Sequence, residues 1–540
     1  MKYLFPLLLI VSISTLGQRP FDIIIRRGTV YDGSGRSPFV ADVAINKDTI
    51  AFIGDLSNSK AKKEISAQGL AVAPGFINML SWADEDLIKD GRSMSDIKQG
   101  VTLEVFGEGV SPGPKTAKTK KAPWLSLGDY LVFLERKGVS TNFASFVGAT
   151  SIRLNELDQK NIAPNKDQLQ KMKVAVSKAM EEGALGLSSA LIYAPADYAS
   201  TEELIELSKV AASYNGMYIT HMRSEGDKIF DGLNETFRIA HEAKIQTEIY
   251  HLKINQERNW NKIGQVIAKI DSAQKKGLKI SADVYPYHAS GTSLTARIPT
   301  WAQGGGAIEM RKRFKDHTLR EKILYDMKMG IPSKNSDPKD VMLMQFHRDS
   351  LNKLYRGKRL NEAAKLHGKT SDETVLDLVT ADKSPIAAIF FLMSEDNVRQ
   401  IMQLPYVSFC SDASSIAIDK NTITTGAHPR TYGSFARVLG RYAREEKLFS
   451  LEEAVHKLTL LPASNLKIKK RGSLKVGNYA DVVVFDAKTI RDNATFEKPH
   501  QYASGMIHVF VNGTQVLKDG EHTGAMPGKC VRGPGWRNRK

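Results

Sequence analysis

Cysteine and long apolar runs are scarce in this sequence. Its 540 residues include only two cysteines, Cys410 and Cys530, so a disulfide framework is not indicated. Beyond the first residues, no apolar stretch approaches the roughly 20 residues that a membrane-spanning helix needs. Internal repeats and low-complexity tracts are also missing. The composition, with 42% hydrophobic and 25% charged residues, is that of a globular protein with a large buried core.

Basic residues outnumber acidic ones, and the formal net charge is +17. The basic residues are spread along the chain, with small clusters at residues 118–121 and 467–471. Neither cluster contains the interleaved aromatic side chains of a groove that binds single-stranded nucleic acid. We therefore interpret the charge as a solvated surface and expect no nucleic-acid partner.

The N-terminus, MKYLFPLLLIVSISTLGQ, places Lys2 ahead of a short apolar run that ends in small and polar residues. This pattern is typical of a secretory signal peptide, here residues 1–17, with the mature chain starting near Gln18. A membrane anchor is the alternative interpretation. We predict an exported, periplasmic protein that has no membrane span once the signal is removed.

Short strands broken by Gly, Asn-Gly and Asp-Gly turns occur near both ends of the chain, which indicates β structure there. Between them, apolar segments alternate with amphipathic helices; these segments are VTLEVFG, TNFASFVG, ALGLSSAL, MYITHMR, QTEIYHLK, KISADVYPY, IAAIFFLMS and VSFCSD. Such alternation is typical of a parallel sheet in an α/β protein.

The predicted fold is therefore a TIM-like (β/α)₈ barrel over residues 74–461, with residues 77–80 as its first strand. Residues 18–73 and 462–540 are predicted to form one discontinuous β-sandwich. A segment rich in Lys, Arg and Met, at about residues 302–370, is predicted to be a lid-like insertion over the barrel mouth.

Polar side chains close several of the predicted strands. His221 ends MYITH, His251 ends QTEIYH, Glu108 follows LEVFG, and Asp412 ends VSFCSD. Since barrel active sites lie at the C-terminal ends of the strands, we expect these side chains to meet. A lone strand-end histidine is often a structural residue, but two on successive strands, with acids on others, favour a metal. Two imidazoles and a carboxylate are a common catalytic zinc set, and imidazole ligands favour zinc over calcium or magnesium.

Longer segments give a more specific indication. APGFIN, GALGLSSALIYAPADYAS, ITHMRSEGD, DVYPYHASGTSL, HPRTYGSFARVLGRY and GSLKVGNYADVVVFDAKTI resemble those of the N-acyl-D-amino-acid deacylases, in the amidohydrolase superfamily. The resemblance covers about residues 20 to 530. It implies a barrel with a β-sandwich and zinc-assisted hydrolysis of the amide that joins an acyl group to a D-amino acid. It also implies that His221 and His251 are zinc ligands and that Asp412 is the catalytic acid/base.

The resemblance further implies three substrate-binding residues. Arg430 in HPR is similar to the arginine that holds the substrate carboxylate, for which a guanidinium fork is well suited. Lys253 in HLK and Tyr285 in DVYPY resemble other residues of the substrate site, although both are equally compatible with packing at the barrel rim. The expected partner is a small-molecule N-acyl-D-amino acid.

Two positions depart from the family pattern. The superfamily normally ends strand one with His-x-His, whereas PGFINMLSW places Leu80 and Trp82 there, and neither side chain binds zinc. D-aminoacylases normally supply a cysteine ligand after strand two, where FGEGVS places Glu108. A carboxylate replaces a thiolate in many zinc sites, so we predict one zinc ion per chain, held by Glu108, His221 and His251. For Trp82, space filling and contact with the acyl group are both open.

Two other functions remain open. A D-amino-acid dipeptidase or a cyclic-amide hydrolase would share the barrel, the zinc and the aspartate. A catalytically silent binding protein would also tolerate the loss of two ligands, although it has no chemical need for His221, His251 and Asp412. The sequence indicates neither the acyl group nor the oligomeric state.

Overall fold

The structure, a computed structural model, describes residues 20–115, 122–330, 336–383, 385–419 and 426–537. The predicted signal peptide and the basic residues 118–121 lie outside the described residues. None of the described helices has the length and apolar character needed to cross a membrane. Both cysteines are free thiols.

The strands, in chain order, are β1 (Phe21–Val30), β2 (Phe39–Asn46), β3 (Thr49–Gly54), β4 (Ala61–Ser66), β5 (Ala71–Pro74), β6 (Phe76–Asn78), β7 (Val101–Phe106), β8 (Asn142–Ser145), β9 (Val147–Gly148), β10 (Gly186–Ala190), β11 (Met217–His221), β12 (Gln246–Ile249), β13 (Ile280–Val284), β14 (Ser290–Ser293), β15 (Val341–Gln345), β16 (Ala387–Phe390), β17 (Val407–Phe409), β18 (Val482–Phe485), β19 (Met506–Val511), β20 (Thr514–Lys518) and β21 (Glu521–His522).

The α-helices are α1 (Asp86–Lys89), α2 (Met94–Ile97), α3 (Leu127–Lys137), α4 (Ala149–Leu157), α5 (Lys166–Glu182), α6 (Thr201–Ser213), α7 (Ile229–Glu242), α8 (Ile263–Lys275), α9 (Thr300–Gln303), α10 (Gly306–Lys315), α11 (His317–Lys328), α12 (Asp349–Tyr355), α13 (Leu360–His367), α14 (Ser371–Asp382), α15 (Glu395–Gln403), α16 (Arg430–Arg437), α17 (Leu451–Leu458) and α18 (Leu460–Asn465). A π-helical stretch, Val438–Glu445, continues α16.

The two ends of the chain share one nine-stranded sheet. Its junction is the antiparallel pair of β5 and β18, and β1 pairs with β2 on one edge and with β4 and β5 on the other. Fully buried residues from both ends, among them Ile25, Val43 and Val482, form one hydrophobic cluster. The hairpin between β19 and β20 turns at Asn512 and Gly513, with φ of 48° and 74°, as a two-residue Asn-Gly turn requires.

Eight parallel strands close into a barrel. Their order is β6, β7, β8 with β9, β10, β11, β12, β13 and β17, since only Phe146 separates β8 from β9. The ring closes where the Met79 amide meets the Phe409 carbonyl at 3.4 Å and the Asp412 amide meets the Leu80 carbonyl at 2.9 Å. The predicted fold class, a (β/α)₈ barrel with a β domain from both termini, is confirmed.

The outer helices show how local sequence defines the barrel wall. Asn165 and Gln168 form a capping box at the start of α5, and Gly183 ends this helix in the left-handed region, at φ 112°. The buried face of α5 includes Met172, Val176 and Met180 and joins a cluster with side chains of the barrel strands. Burial of this apolar face, more than helix propensity, holds the helix on the barrel.

The inserted unit is larger than the expected segment at about 302–370. It contains an antiparallel sheet in the order β14, β16, β15, helices α9 to α14, and a hydrophobic cluster of its own. The segment IAAIFFLMS, which the spacing placed among the barrel strands, contains β16 and belongs to this sheet. A short apolar run fits either sheet, and only its pairing partners distinguish the two.

Two acids are buried on neighbouring barrel strands. Glu248 of β12 and Asp283 of β13 are both fully buried, and Glu248 Oε2 accepts a hydrogen bond of 2.5 Å from Ser281 Oγ. Burial, reinforced by the charge of Asp283, raises the pKa of Glu248 to about 8. The folded protein therefore retains a proton that the unfolded chain releases once the pH exceeds about 4.5.

We expect Glu248→Gln to flatten the decline in stability between about pH 4.5 and 8. With its folded pKa raised to about 8, wild-type Glu248 progressively lowers the free energy of unfolding as the pH rises from about 4.5 towards 8, and lowers it no further above that. The glutamine carries no such proton. Urea unfolding at pH 6, 7, 8 and 9 should show the variant gaining on the wild type up to pH 8. Parallel pH profiles of the two proteins would contradict this prediction.

Candidate active site

A cavity of about 550 Å³ lies at the C-terminal ends of the barrel strands. It is lined from the barrel by Trp82, Glu108, Tyr193, His221, His251, Lys253, Tyr285, Asp412 and Arg430, and from the inserted unit by Ser290–Ser293, Met344 and Ala387–Ile389. All the residues that the sequence analysis proposed for the site therefore border one space. The inserted unit forms one wall of it.

Three of these side chains form a buried triad. Glu108 Oε1 lies 2.8 Å from His221 Nδ1 and 3.1 Å from His251 Nε2, and the two imidazole centroids are 4.4 Å apart. None of the three residues is more than 4% exposed. Their ligand atoms all lie within 4.8 Å of one another, which places them around one point as a metal site requires.

The backbone around Glu108 depends on glycine. Gly107 and Gly109 have φ of 103° and 65°. A Cβ atom on Gly107 would lie 2.7 Å from the Phe146 carbonyl oxygen, and one on Gly109 would lie 2.7 Å from Ala190 Cβ. The two glycines thus let the chain turn sharply between neighbouring strands and aim the Glu108 carboxylate at the histidines.

Electrostatics favour a charged Glu108. Burial alone would raise the pKa of its carboxyl, but hydrogen bonds from His221 and His251 outweigh burial and hold the pKa below its usual value. For His251, burial and Lys253 lower the pKa, while contacts with Glu108 and Glu225 raise it to about 9. Once a metal ion displaces the histidine protons, the triad offers an anionic oxygen and two imidazoles, a donor set that fits a divalent metal ion.

Sequence reasoning missed Glu225, which lies on the other side of the histidine rings. Its Oε1 is 3.3 Å from His221 Nε2, 3.3 Å from His251 Nδ1 and 2.6 Å from Lys253 Nζ. A carboxylate against the second nitrogen of a ligating histidine fixes the ring's orientation and tautomer. The available signal was its place four residues after His221, in the loop that follows the same strand.

Asp412 and Arg430 form an ion pair beside the triad. Arg430 Nη1 lies 2.8 Å from Asp412 Oδ2, and both residues are at least nine-tenths buried. The guanidinium carbon is 4.6 Å from the centroid of the Tyr285 ring, within cation–π range. The Tyr285 hydroxyl contacts the Met393 sulfur at 3.6 Å, so this tyrosine meets Arg430 through its ring.

The two unusual residues of strand one have different surroundings. Leu80 is fully buried in the core, whereas Trp82 lines the cavity and donates a 3.0 Å hydrogen bond from Nε1 to Asp412 Oδ1. The Tyr193 ring, also missed by sequence reasoning, lies edge-on to His221 with centroids 5.2 Å apart. The positions where the superfamily has strand-one histidines thus provide packing and one hydrogen-bond donor.

Comparison with known proteins identifies the family. The model of the amidohydrolase family matches residues 415–517. The D-aminoacylase of Alcaligenes xylosoxydans xylosoxydans is 32% identical over 525 residues, which cover 95% of this chain and 98% of that protein. The chain belongs to the D-aminoacylase family of amidohydrolases. The resemblance predicted from sequence segments is therefore confirmed over nearly the whole length.

Solved structures of the D-aminoacylase family share this fold. The crystal structure of a D-aminoacylase matches with a TM-score of 0.81 at 32% identity, covering 95% of this chain and 100% of that one. The N-acyl-D-glutamate deacylase of Bordetella bronchiseptica, in complex with zinc and a phosphonate that mimics the tetrahedral intermediate, matches with a TM-score of 0.79 at 30% identity over the same shares. The chain is accordingly a metal-dependent amidohydrolase.

Proposed function

We propose that this amidohydrolase hydrolyses the amide bond of N-acyl-D-amino acids, releasing a carboxylate and a D-amino acid, with one zinc ion per chain. The observation that carries the proposal is the buried triad of Glu108, His221 and His251 beside the Asp412–Arg430 pair. The relatives support it, because one is named for D-aminoacylase activity and another binds zinc with a mimic of the intermediate of amide hydrolysis.

A single ion is proposed because strand one supplies no ligand. Leu80 is apolar and buried, and the indole N–H of Trp82 is a donor without a lone pair for a metal. Glu108, His221 and His251 would hold the ion that remains. Zinc bound there would supply the Lewis acidity that polarises an amide carbonyl and lowers the pKa of water.

The protein's own groups manage the protons and the substrate. Asp412 accepts a proton from the attacking water and returns it to the leaving nitrogen, so that amide and water become carboxylate and amine. Asp412 lies 2.8 Å from Arg430 Nη1, and Arg430 Nη2 donates to the Gly291 carbonyl at 3.4 Å. The guanidinium has five N–H donors, and those that remain would take the free carboxylate of the amino acid. Lys253 and Tyr285 line the same cavity, and the Tyr285 ring supports Arg430.

We test the proposal with metal analysis and a substrate panel. The purified protein should contain about one tightly held zinc per chain and should release D-amino acids from N-acetyl-D-amino acids but not from their L enantiomers. D-dipeptides and hydantoins belong in the same panel. Preferred hydrolysis of either would replace the proposed substrate, and a protein that binds these compounds without turnover would be a silent binder. Two tightly held zinc ions per chain would contradict the single site.

A further inference from the structure

Among the residues that the structure describes, the Asp412 carboxylate has two partners, one for each oxygen. Arg430 Nη1 lies 2.8 Å from Oδ2, and Trp82 Nε1 donates to Oδ1 at 3.0 Å. We propose that Trp82 is a positioning residue, which holds the Asp412 carboxylate in place through its indole N–H where relatives carry a strand-one histidine. The inference rests on the proposed function, in which Asp412 carries the proton.

The backbone on both sides of this hydrogen bond is fixed by the closure of the barrel. The Trp82 amide donates to the Ala413 carbonyl at 3.0 Å, and the Asp412 amide donates to the Leu80 carbonyl at 2.9 Å. Asp412 also adopts φ of 48°, a region that few residues other than glycine occupy. Indole and carboxylate therefore face each other because the segments that follow β6 and β17 are hydrogen-bonded to one another, independently of any substrate.

The second partner matters because Arg430 has two tasks. When Arg430 turns some of its donors towards the substrate carboxylate, its hold on Asp412 is shared with a second anion. Within the described parts of the chain, the single N–H of Trp82 is directed at Asp412 Oδ1 alone. An indole N–H donates but does not accept a proton, so it orients the carboxylate without competing for the proton that Asp412 has to carry.

The position of Trp82 also explains how the site works without strand-one ligands. In a two-metal site a cation would neutralise and orient the aspartate. Here a neutral donor, the Trp82 indole, orients the Asp412 carboxylate. The positive charge beside Asp412 is that of Arg430. Burial lowers the pKa of this guanidinium, but the charge of Asp412 outweighs burial and raises the pKa above its usual value. The loss of the histidines is thus compensated by the residue that replaced one of them.

The test compares Trp82→Phe with a matched control. Phenylalanine keeps an aromatic ring and removes the N–H. Trp301→Phe removes the same kind of bond, since Trp301 Nε1 donates to Asp326 Oδ2 at 2.8 Å in the inserted unit, outside the cavity. We expect Trp82→Phe to lower kcat by about 10- to 100-fold, as loss of an orienting partner does, with KM changed by less than about 3-fold and zinc content unchanged. Trp301→Phe should stay within about 2-fold of the wild-type kcat.

A second readout needs neither metal nor substrate. In metal-free protein with ¹⁵N-labelled tryptophan, the indole resonance assigned by its absence in Trp82→Phe should move upfield in Asp412→Asn, where the acceptor loses its charge. The Trp301 resonance should stay in place in that variant and move in Asp326→Asn instead. If the chemical shift of the Trp82 indole resonance is the same in Asp412→Asn as in the wild type, the inference is wrong. It is also wrong if Trp82→Phe changes only KM. If no deacylase activity is found, the proposed function fails, and the resonance alone then decides whether Trp82 holds Asp412.

Discussion

Asp412→Asn is expected to lower kcat for an N-acyl-D-amino acid by about 10³-fold, within the range that positioned proton-transfer groups contribute. Asparagine keeps the size of the side chain and an oxygen that accepts from Trp82 Nε1, so the cavity should keep its shape. It does not take a proton from water or return one to the leaving amine. Steady-state kinetics on the best substrate of the panel, with zinc content measured in parallel, checks the prediction.

The matched control for this variant is Asp326→Asn. Asp326 also accepts an indole hydrogen bond, from Trp301 at 2.8 Å, but it lies in the inserted unit away from the cavity. We expect this control to retain at least half of the wild-type kcat. Near-normal turnover of Asp412→Asn would refute the role of Asp412 as proton carrier. A variant that loses zinc together with activity would also refute it, since Asp412 would then be a ligand.

That the site residues lie close together was predictable, because the geometry of a parallel barrel brings the C-terminal ends of all its strands to one mouth. Once strands are parallel and closed into a ring, whatever follows their C-terminal ends lies at one mouth. His221 ends β11, His251 follows the neighbouring β12, and Asp412 follows the strand that closes the ring, so their shared cavity required only correct strand assignments. The sequence was equally compatible with a Tyr285 in the substrate site and with one packed at the barrel rim, and the structure places Tyr285 in the lining of the cavity.

Contacts that depend on loop paths and on ring closure were not predictable in this way. Glu225 reaches both imidazoles only because the loop after β11 folds back beside them. Trp82 reaches Asp412 across 330 positions of sequence, through a closure that no local pattern describes. The strand β16 was misassigned for a related reason, because its apolar residues suit a barrel strand and only its antiparallel partners, β14 and β15, identify it.

Glu108→Gln is expected to weaken zinc binding by more than about 100-fold and to abolish most activity. Loss of an outer-shell partner already costs about 10- to 100-fold in metal affinity, and Glu108 is proposed as an inner ligand. Glutamine fits between Gly107 and Gly109 as glutamate does, but it presents a neutral oxygen to the ion. Titration of metal-free protein with zinc against a competing chelator measures the affinity. Glu108→Cys should restore much of the affinity, because a thiolate is a common zinc ligand and the resemblance implies a cysteine at or next to this position.

Glu104→Gln is the matched control. It removes another buried carboxyl, on the strand that leads to Glu108, and so shows whether the loss of zinc affinity is due to ligation by Glu108 or to the loss of any buried acid nearby. Glu104 is fully buried four residues before Glu108 and accepts hydrogen bonds from Ser81 and Thr141 at 2.7 and 2.8 Å, and burial together with Asp96 raises its pKa well above the usual value. Since burial and Asp96 favour the neutral form of Glu104, the neutral side chain of glutamine should be tolerated there, and zinc affinity should be unchanged. If Glu108→Gln instead bound zinc as tightly as Glu104→Gln does, Glu108 would be no ligand. The histidines would then share the ion with another carboxylate. Glu225, whose Oε1 lies 3.3 Å from a nitrogen of each ring, would be the first candidate for the next substitution.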